Sequence, residues 1–193
     1  RLDAYDSEVG GQALSRLYYK LIDFIRFFFK KEKNKICEKD VHLFCHSMGA
    51  MVLKNMMLYL KKSENINKDP IYEVFKEIIL VAPDVSADIF EQGNAFDNLL
   101  SLGNRVHIYG HKNDVALKIS GKIHQVERLG GIIDPMRLNL PSNAFYVNAA
   151  QGTKSDWQGI KDEAISHWYH YNSQNIITDI NRVLDGGNSQ YYL

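Results

Sequence analysis

Apolar residues recur along the chain with two spacings, one typical of helices and one typical of strands. Over residues 10–31 they fall three or four positions apart, as in an amphipathic helix with one buried face. The same spacing predicts further helices over residues 48–61, 114–125 and 173–184. Short continuous apolar runs predict four buried strands, over residues 41–44, 77–82, 105–110 and 144–149. Strands that alternate with helices indicate an α/β fold.

The remaining segments have weaker patterns. Asp69 and Pro70, an N-cap followed by a first-turn proline, predict a helix that runs to Phe75. Residues 86–102 have a helical pattern that Gly93 interrupts. Residues 128–143 have two glycines, two prolines and no period, which indicates a loop. We expect the tail, residues 186–193, to be frayed and flexible.

The order of these elements predicts a mostly parallel sheet with helices on both faces, because parallel strands need crossover connections. A chain of 193 residues, 45% of them hydrophobic, is large enough for one domain with its own core. We therefore expect residues 1–193 to form a single α/β domain.

Charge and composition exclude several classes of partner. Lys and Arg total 23 and so do Asp and Glu, so no net charge attracts nucleic acid. The basic cluster at residues 30–35 is interrupted by Glu and Asn, which favours a solvated loop over a contact with an anionic surface. No apolar run approaches the roughly 20 residues that span a bilayer. Cys37 and Cys45 lie on either side of a strand start, which disfavours a disulfide between them.

Ser47 lies where a predicted strand meets a predicted helix, in the pattern Cys45-x-Ser47-x-Gly49. A sharp strand-to-helix turn of this kind exposes the serine hydroxyl, and small residues two positions before and after it prevent a collision between strand and helix. Ser47 is therefore the candidate nucleophile, although a serine here could also cap the helix. Cys45 is a weaker candidate, because its side chain is expected to point into the sheet layer.

The candidate acid and base follow other strands. Asp114 comes after the third predicted strand and His167 after the fourth, and the carboxyl ends of parallel strands meet at one edge of a sheet. The order Ser, acid, His is that of α/β-hydrolases. Asp84, after the second strand, is an alternative acid, and His170 is an alternative base. His46 is expected to line the substrate pocket.

These residue types fit acyl transfer. A serine hydroxyl needs a histidine to take its proton, and a carboxylate fixes the histidine tautomer. The backbone N–H of Met48, at the start of the following helix, can stabilise negative charge on the substrate oxygen. No spacing of His, Cys or Asp predicts a metal site, and we expect no cofactor.

Several motifs together resemble a known family. They are "YDSEVGGQALSRL", "LFCHSMGA", "EIILVAPDV", "RVHIYGHKNDVALKISGKIH" with "RLGG", and "ISHWYHYN". They are similar to a family of mostly bacterial α/β-hydrolases of unknown function that are often labelled esterase/lipase enzymes. The resemblance implies the α/β-hydrolase fold, with Ser47 as nucleophile, Asp114 as acid and His167 as base.

The resemblance also implies that part of the fold is missing. Members begin with a strand whose His-Gly-type turn supplies the second oxyanion N–H, and continue with a strand that ends in a Trp-Pro-Ser-like segment. We therefore expect this chain to be the C-terminal portion of the fold, completed by an upstream fragment or a partner chain. The expected activity is hydrolysis of a small acyl ester through an acyl-enzyme intermediate. The alternatives are a non-catalytic binding or assembly module, and an amidase or peptidase on the same fold.

Overall fold

The computed structural model describes residues 2–31, 40–67, 70–154 and 166–193. Their helices and strands, in chain order, are α1 (Leu2–Lys31), β1 (Leu43–His46), α2 (Gly49–Asn67), β2 (Phe75–Val81), β3 (Gly103–Gly110), α3 (Val115–His124), β4 (Ala144–Asn148), α4 (Ala149–Gly152), α5 (Tyr169–Asn172) and α6 (Gln174–Leu184). Cys37, Asp69 and the side chains of the basic cluster at residues 30–35 lie outside the described residues, so the predictions about them stay predictions.

The four strands form one parallel sheet in the order β1-β2-β3-β4. Cys45 of β1 lies opposite Leu80 of β2, which lies opposite Ile108 of β3, which in turn lies opposite Tyr146 of β4. All four strands therefore end at the same edge, and the predicted α/β architecture with a parallel sheet is confirmed. No described helix combines the length and the apolar character that crossing a membrane requires.

Helices cover both faces of the sheet because successive strand side chains point in opposite directions. On β2, Ile78 and Leu80 belong to the core cluster that includes buried residues of α1 and α2. Ile79 and Val81 belong to a second cluster that includes the buried side of α6. The continuous apolar run of this strand is thus explained by burial on both faces.

The helix predicted from Asp69 to Phe75 is wrong. Residues 70–74 are not helical, and β2 already begins at Phe75. The hydroxyl of Tyr18 donates to the carbonyl of Tyr72 and accepts from its N–H, at 2.6 Å in both cases. The N–H of Val74 donates to Leu102 O, 2.9 Å away. These bonds hold the segment extended between α1 and the start of β3.

The helix that the apolar pattern indicates over residues 86–102 is also absent from the structure. The segment consists of turns with one short 3₁₀ helix, Leu99–Ser101. Gly93 has a φ of 89°, in the left-handed region, and its N–H donates to the carboxylate of Asp97 at 3.0 Å. Asn94 donates through its side chain to Asp88 O at 2.7 Å. Such side-chain bonds to nearby backbone groups compete with helix formation.

The other segments follow the prediction with shifted bounds. α1 begins at Leu2, β1 lies two residues later than predicted, and α2 continues to Asn67. The loop over residues 128–143 contains two short 3₁₀ turns, Leu129–Gly131 and Pro135–Arg137.

The C-terminal tail, for which the sequence predicts flexibility, has contacts with the sheet in the structure. Tyr192 forms an antiparallel bridge with Val147 of β4, and its hydroxyl is 2.9 Å from Nδ1 of the buried His107. Asp179, buried on α6, accepts from Ser189 Oγ at 2.7 Å. The ring of Tyr192 also stacks on Phe145 of β4, with ring centroids 4.9 Å apart. Apolar spacing could not show these contacts of Tyr192, because they join residues far apart in the chain.

Candidate active site

Ser47 occupies a strained turn between β1 and α2. Its φ is 52°, in the left-handed region that residues other than glycine rarely adopt. Its N–H donates to Val81 O at 2.9 Å, and its carbonyl accepts from Ala50 N at 3.0 Å and from Asp84 N at 3.1 Å. Strain of this kind costs about 1–3 kcal/mol and persists only where surrounding bonds impose it. The turn therefore holds the serine at the carboxyl edge of the sheet.

Cys45 lies on the preceding strand and faces the core, as predicted. Its residue surface is 8% exposed, and it packs in the cluster between the sheet and helices α1 and α2. Burial raises the pKa of its thiol to about 12. A thiolate is therefore scarce at neutral pH, and this side chain is unsuited to act as a nucleophile.

Asp114 lies between β3 and α3 and caps the helix. Its Oδ1 accepts from Leu117 N at 2.9 Å, and its own N–H donates to His111 O at 2.9 Å. The residue is fully buried. The N-terminus of α3 favours a negative charge at this position. The cap leaves Oδ2 free to bind a second donor in a fixed direction.

His167 connects that carboxylate to the serine. Its Nδ1 is 2.7 Å from Asp114 Oδ2, and its Nε2 is 3.0 Å from Ser47 Oγ. Since an ionised carboxylate only accepts, we assign the hydrogen to Nδ1, which leaves the Nε2 lone pair to accept from the hydroxyl. The structure thus brings the three predicted residues into one hydrogen-bonded chain. This is the geometry that serine activation requires.

The alternative acid is paired elsewhere. Asp84 Oδ1 accepts from Ser120 Oγ at 2.7 Å and forms an ion pair with Arg128, whose Nε lies 3.0 Å away and donates to Ser120 Oγ. Asp84 and Arg128 are both buried, at 8% and 7% exposure. This carboxylate therefore neutralises a buried arginine, whereas the Asp114 carboxylate contacts the imidazole of His167.

The alternative base, His170, lies in a group of stacked rings beside the site. Its ring centroid is 4.3 Å from that of His46 and 5.9 Å from that of Trp168. Its Nδ1 is buried and has no hydrogen-bond partner among the described residues. Burial and the neighbouring His46 and His167 lower the pKa of His170 to about 4. The ring is therefore neutral at neutral pH and packs against its neighbours.

His46 contacts the backbone of the candidate base. Its Nε2 is 3.1 Å from the carbonyl oxygen of His167, and its ring centroid lies 4.8 Å from that of His167 and 4.7 Å from that of Trp168. Burial lowers the pKa of His46. Its predicted role as a pocket-lining residue stays a prediction. The bond to His167 was missed, because 121 residues separate the partners and no local pattern indicates it.

Met48 offers a backbone donor at the site. Its carbonyl accepts from the N–H groups of Met51 and Val52, at 2.9 and 3.2 Å, so the chain turns into α2 at this residue. Its own N–H has no acceptor among the described residues. A free N–H next to the serine, at the positive end of a 19-residue helix, can bind an oxyanion.

Tyr169 fixes the segment that carries His167, a contact that sequence reasoning also missed. Its hydroxyl donates to Tyr109 O at 2.6 Å and accepts from Ala82 N at 2.9 Å. The residue is fully buried, and Ala82 is itself strained, with a φ of 44°. One side chain thus ties the ends of β2 and β3 to the loop of the candidate base.

Two cavities lie away from the hydrogen-bonded chain of Asp114, His167 and Ser47. A cavity of about 630 Å³ lies at the opposite edge of the sheet, between α1 and the starts of β2 and β3. A polar one of about 470 Å³ lies at the ends of β3 and β4 and includes His111 and Asn148. No group of three or more His, Cys, Asp or Glu within the described ranges could hold a metal ion.

The chain matches a known family over most of its length. Residues 20–184 match the family described as "Alpha/beta hydrolase of unknown function (DUF900)". The matched range includes Ser47, Asp114 and His167. Neither a curated protein nor a solved structure matches the chain.

Proposed function

This chain belongs to the family of alpha/beta hydrolases of unknown function, and we propose that it is a serine hydrolase that cleaves an acyl ester. The observation that carries the proposal is the continuous hydrogen-bonded chain from Asp114 Oδ2 through His167 to Ser47 Oγ, with contacts of 2.7 and 3.0 Å. Each contact is short enough for proton transfer without rearrangement.

In the first half of the reaction, Ser47 Oγ attacks the acyl carbonyl while His167 Nε2 takes the hydroxyl proton. Asp114 stabilises the resulting imidazolium through its bond to Nδ1–H. As the tetrahedral intermediate collapses, the carbon–oxygen bond to the alcohol breaks and His167 returns the proton to the leaving oxygen. The alcohol departs and the acyl group remains on Ser47.

In the second half, a water molecule takes the place of the alcohol. His167 removes a proton from that water, and the resulting nucleophile attacks the acyl carbonyl. Collapse of the second intermediate transfers the proton to Ser47 Oγ and releases a carboxylic acid. The buried position of Asp114, 0% exposed, keeps its charge unscreened by water throughout.

The N–H of Met48 is the proposed donor to the oxyanion in both intermediates. An oxyanion hole generally needs a second donor, and the loss of one donor typically costs about 10²–10³ in rate. We propose that a further strand, from an upstream segment or a partner chain, supplies that donor and covers the open edge of β1.

The backbone of β1 supports this second proposal. Val41 O accepts from Lys76 N at 2.8 Å and Ser47 N donates to Val81 O, so the odd-numbered residues of β1 direct their backbone groups toward β2. The backbone groups of Phe44 therefore point to the edge of β1 that pairs with no strand among the described residues. Phe44 is also 46% exposed. An unpaired strand edge with apolar side chains is a template for pairing with another strand.

The test is covalent labelling of the purified chain by a fluorophosphonate probe. We expect one label on Ser47, abolished in Ser47→Ala and unchanged in the matched control Ser142→Ala, an exposed loop residue. Hydrolysis of p-nitrophenyl acetate and of the corresponding anilide then separates ester from amide activity. Equal labelling of Ser47→Ala would sink the assignment, and absence of both labelling and hydrolysis would favour a non-catalytic module.

A further inference from the structure

We propose that His46 is a positioning residue, which sets the place of the candidate base by donating a hydrogen bond to its backbone carbonyl. The inference rests on the proposed function and names a residue that the triad does not include. Its basis is the 3.1 Å contact from His46 Nε2 to His167 O. A carbonyl oxygen only accepts, so Nε2 must carry the hydrogen.

His167 needs such a contact because little regular structure surrounds it. It lies in a turn two residues before the start of α5, a helix of four residues. Its side chain spans from Asp114 to Ser47, and both bonds fail if the backbone shifts. Misplacement of a catalytic group by about 1 Å can cost about 10²-fold in rate.

The position of His46 in the chain makes the contact specific. It immediately precedes Ser47 and ends β1, so the rigid sheet carries both the serine and the donor that holds the base. The imidazole is also packed between rings, 4.7 Å from Trp168 and 4.3 Å from His170. The end of β1 thus holds His167 through two bonds, one from the hydroxyl of Ser47 and one from the imidazole of His46. Together they fix the distance between the candidate nucleophile and the candidate base.

A pocket-lining role predicts a different result from a positioning role. A side chain that only contacts substrate changes KM when it is replaced, whereas a side chain that aligns the base changes kcat. A donor role also predicts rescue by glutamine, whose side-chain amide reaches as far as His Nε2. Phenylalanine keeps the packed ring and removes the donor.

The experiment compares His46→Phe and His46→Gln with the wild-type chain. The readouts are the rate constant of Ser47 labelling by a fluorophosphonate and kcat and KM for p-nitrophenyl acetate. We expect His46→Phe to lower labelling and kcat by about 10- to 100-fold with KM within about twofold, and His46→Gln to recover most of that loss. His124→Phe, an exposed histidine on α3, is the matched control and keeps wild-type rates. Circular dichroism verifies that each variant is folded.

Three outcomes overturn the inference: unchanged rates in His46→Phe, a rise in KM with unchanged kcat, or a glutamine variant as slow as the phenylalanine variant. A wild-type chain that is not labelled overturns the proposed function instead.

In that case ¹⁵N histidine spectra decide the inference. A hydrogen on Nε2 of His46, together with displaced His167 ring resonances in His46→Phe, supports it. Unmoved His167 resonances refute it.

Discussion

Asp114→Asn is the substitution that most directly tests the proposed charge arrangement. The carboxylate uses Oδ1 to cap α3 through Leu117 N and Oδ2 to accept from His167 Nδ1. Asparagine is as good an N-cap as aspartate, so its oxygen keeps the bond to Leu117 and its NH₂ group turns toward the imidazole. Nδ1 must then accept, and the hydrogen moves to Nε2. In that tautomer His167 cannot take the proton of Ser47.

The magnitude follows from this tautomer change. The same substitution in a Ser-His-Asp triad lowers kcat about 10⁴-fold, which corresponds to about 5 kcal/mol of transition-state stabilisation. We expect labelling of Ser47 by a fluorophosphonate to slow by about 10³–10⁴-fold in Asp114→Asn. The melting temperature is expected to change little, because the cap of α3 is kept.

Asp84→Asn is the matched control, since it alters the other buried carboxylate near the site. Loss of this charge removes the partner of Arg128 in the ion pair that the structure describes, so we expect a lower melting temperature. The labelling rate is expected to stay within about threefold of wild type. The reverse result, with slow labelling in Asp84→Asn and fast labelling in Asp114→Asn, would refute the assignment of the acid.

Three further outcomes are expected. Gly130→Ala would place a Cβ 2.5 Å from Pro83 N, so it should lower the melting temperature strongly. The control is Gly49→Ala, whose Cβ would lie no closer than 3.7 Å to a described neighbour. This substitution should be neutral or stabilise α2 by up to about 1 kcal/mol. Because the pKa of His170 is lowered on folding, the unfolded chain binds a proton there first as the pH falls, and the free energy of unfolding decreases between about pH 6.5 and 4. His170→Phe lacks this loss. From pH 7.5 to pH 4, its free energy of unfolding in urea melts should fall by about 1–2 kcal/mol less than that of the wild type, a value reduced for the partial exposure of His170. Deletion of residues 188–193 should lower the urea midpoint, since it removes the bonds of Ser189 and Gln190 to the buried Asp179 and the bond of Tyr192 to His107. An unchanged midpoint would support the prediction of a frayed tail.

The parallel sheet and the helix layers could be predicted from sequence because their signals are local. Continuous apolar runs such as that of β2 require burial on both faces, and a helical spacing such as that of α6 requires one buried face. The failures lie where bonds distant in sequence decide the structure. The proline at position 70 favours a helix start, but the hydroxyl of Tyr18, 54 residues away, holds Tyr72 extended.

The residues of the candidate site likewise fall into those that a sequence pattern could indicate and those that it could not. Ser47, Asp114 and His167 could be found because each follows a strand, and parallel strands end at one edge. The supporting contacts of His46 and Tyr169 could not be found, since each depends on which backbone groups the folded loops present. A sequence pattern indicates candidate reacting groups more readily than the residues that hold them in place.

The sequential order of the strands has a consequence for how activity arises during synthesis. Each new strand joins the edge of the previous one, so the sheet can grow from the N-terminus as the chain leaves the ribosome. Ser47 is made before His167, and the bond between them closes across 120 residues and depends on a loop that follows β4. We therefore expect the proposed nucleophile to stay inert in chains that end before His167. Reaction with a fluorophosphonate would in consequence report that folding is complete, and could serve as a kinetic probe of its final step.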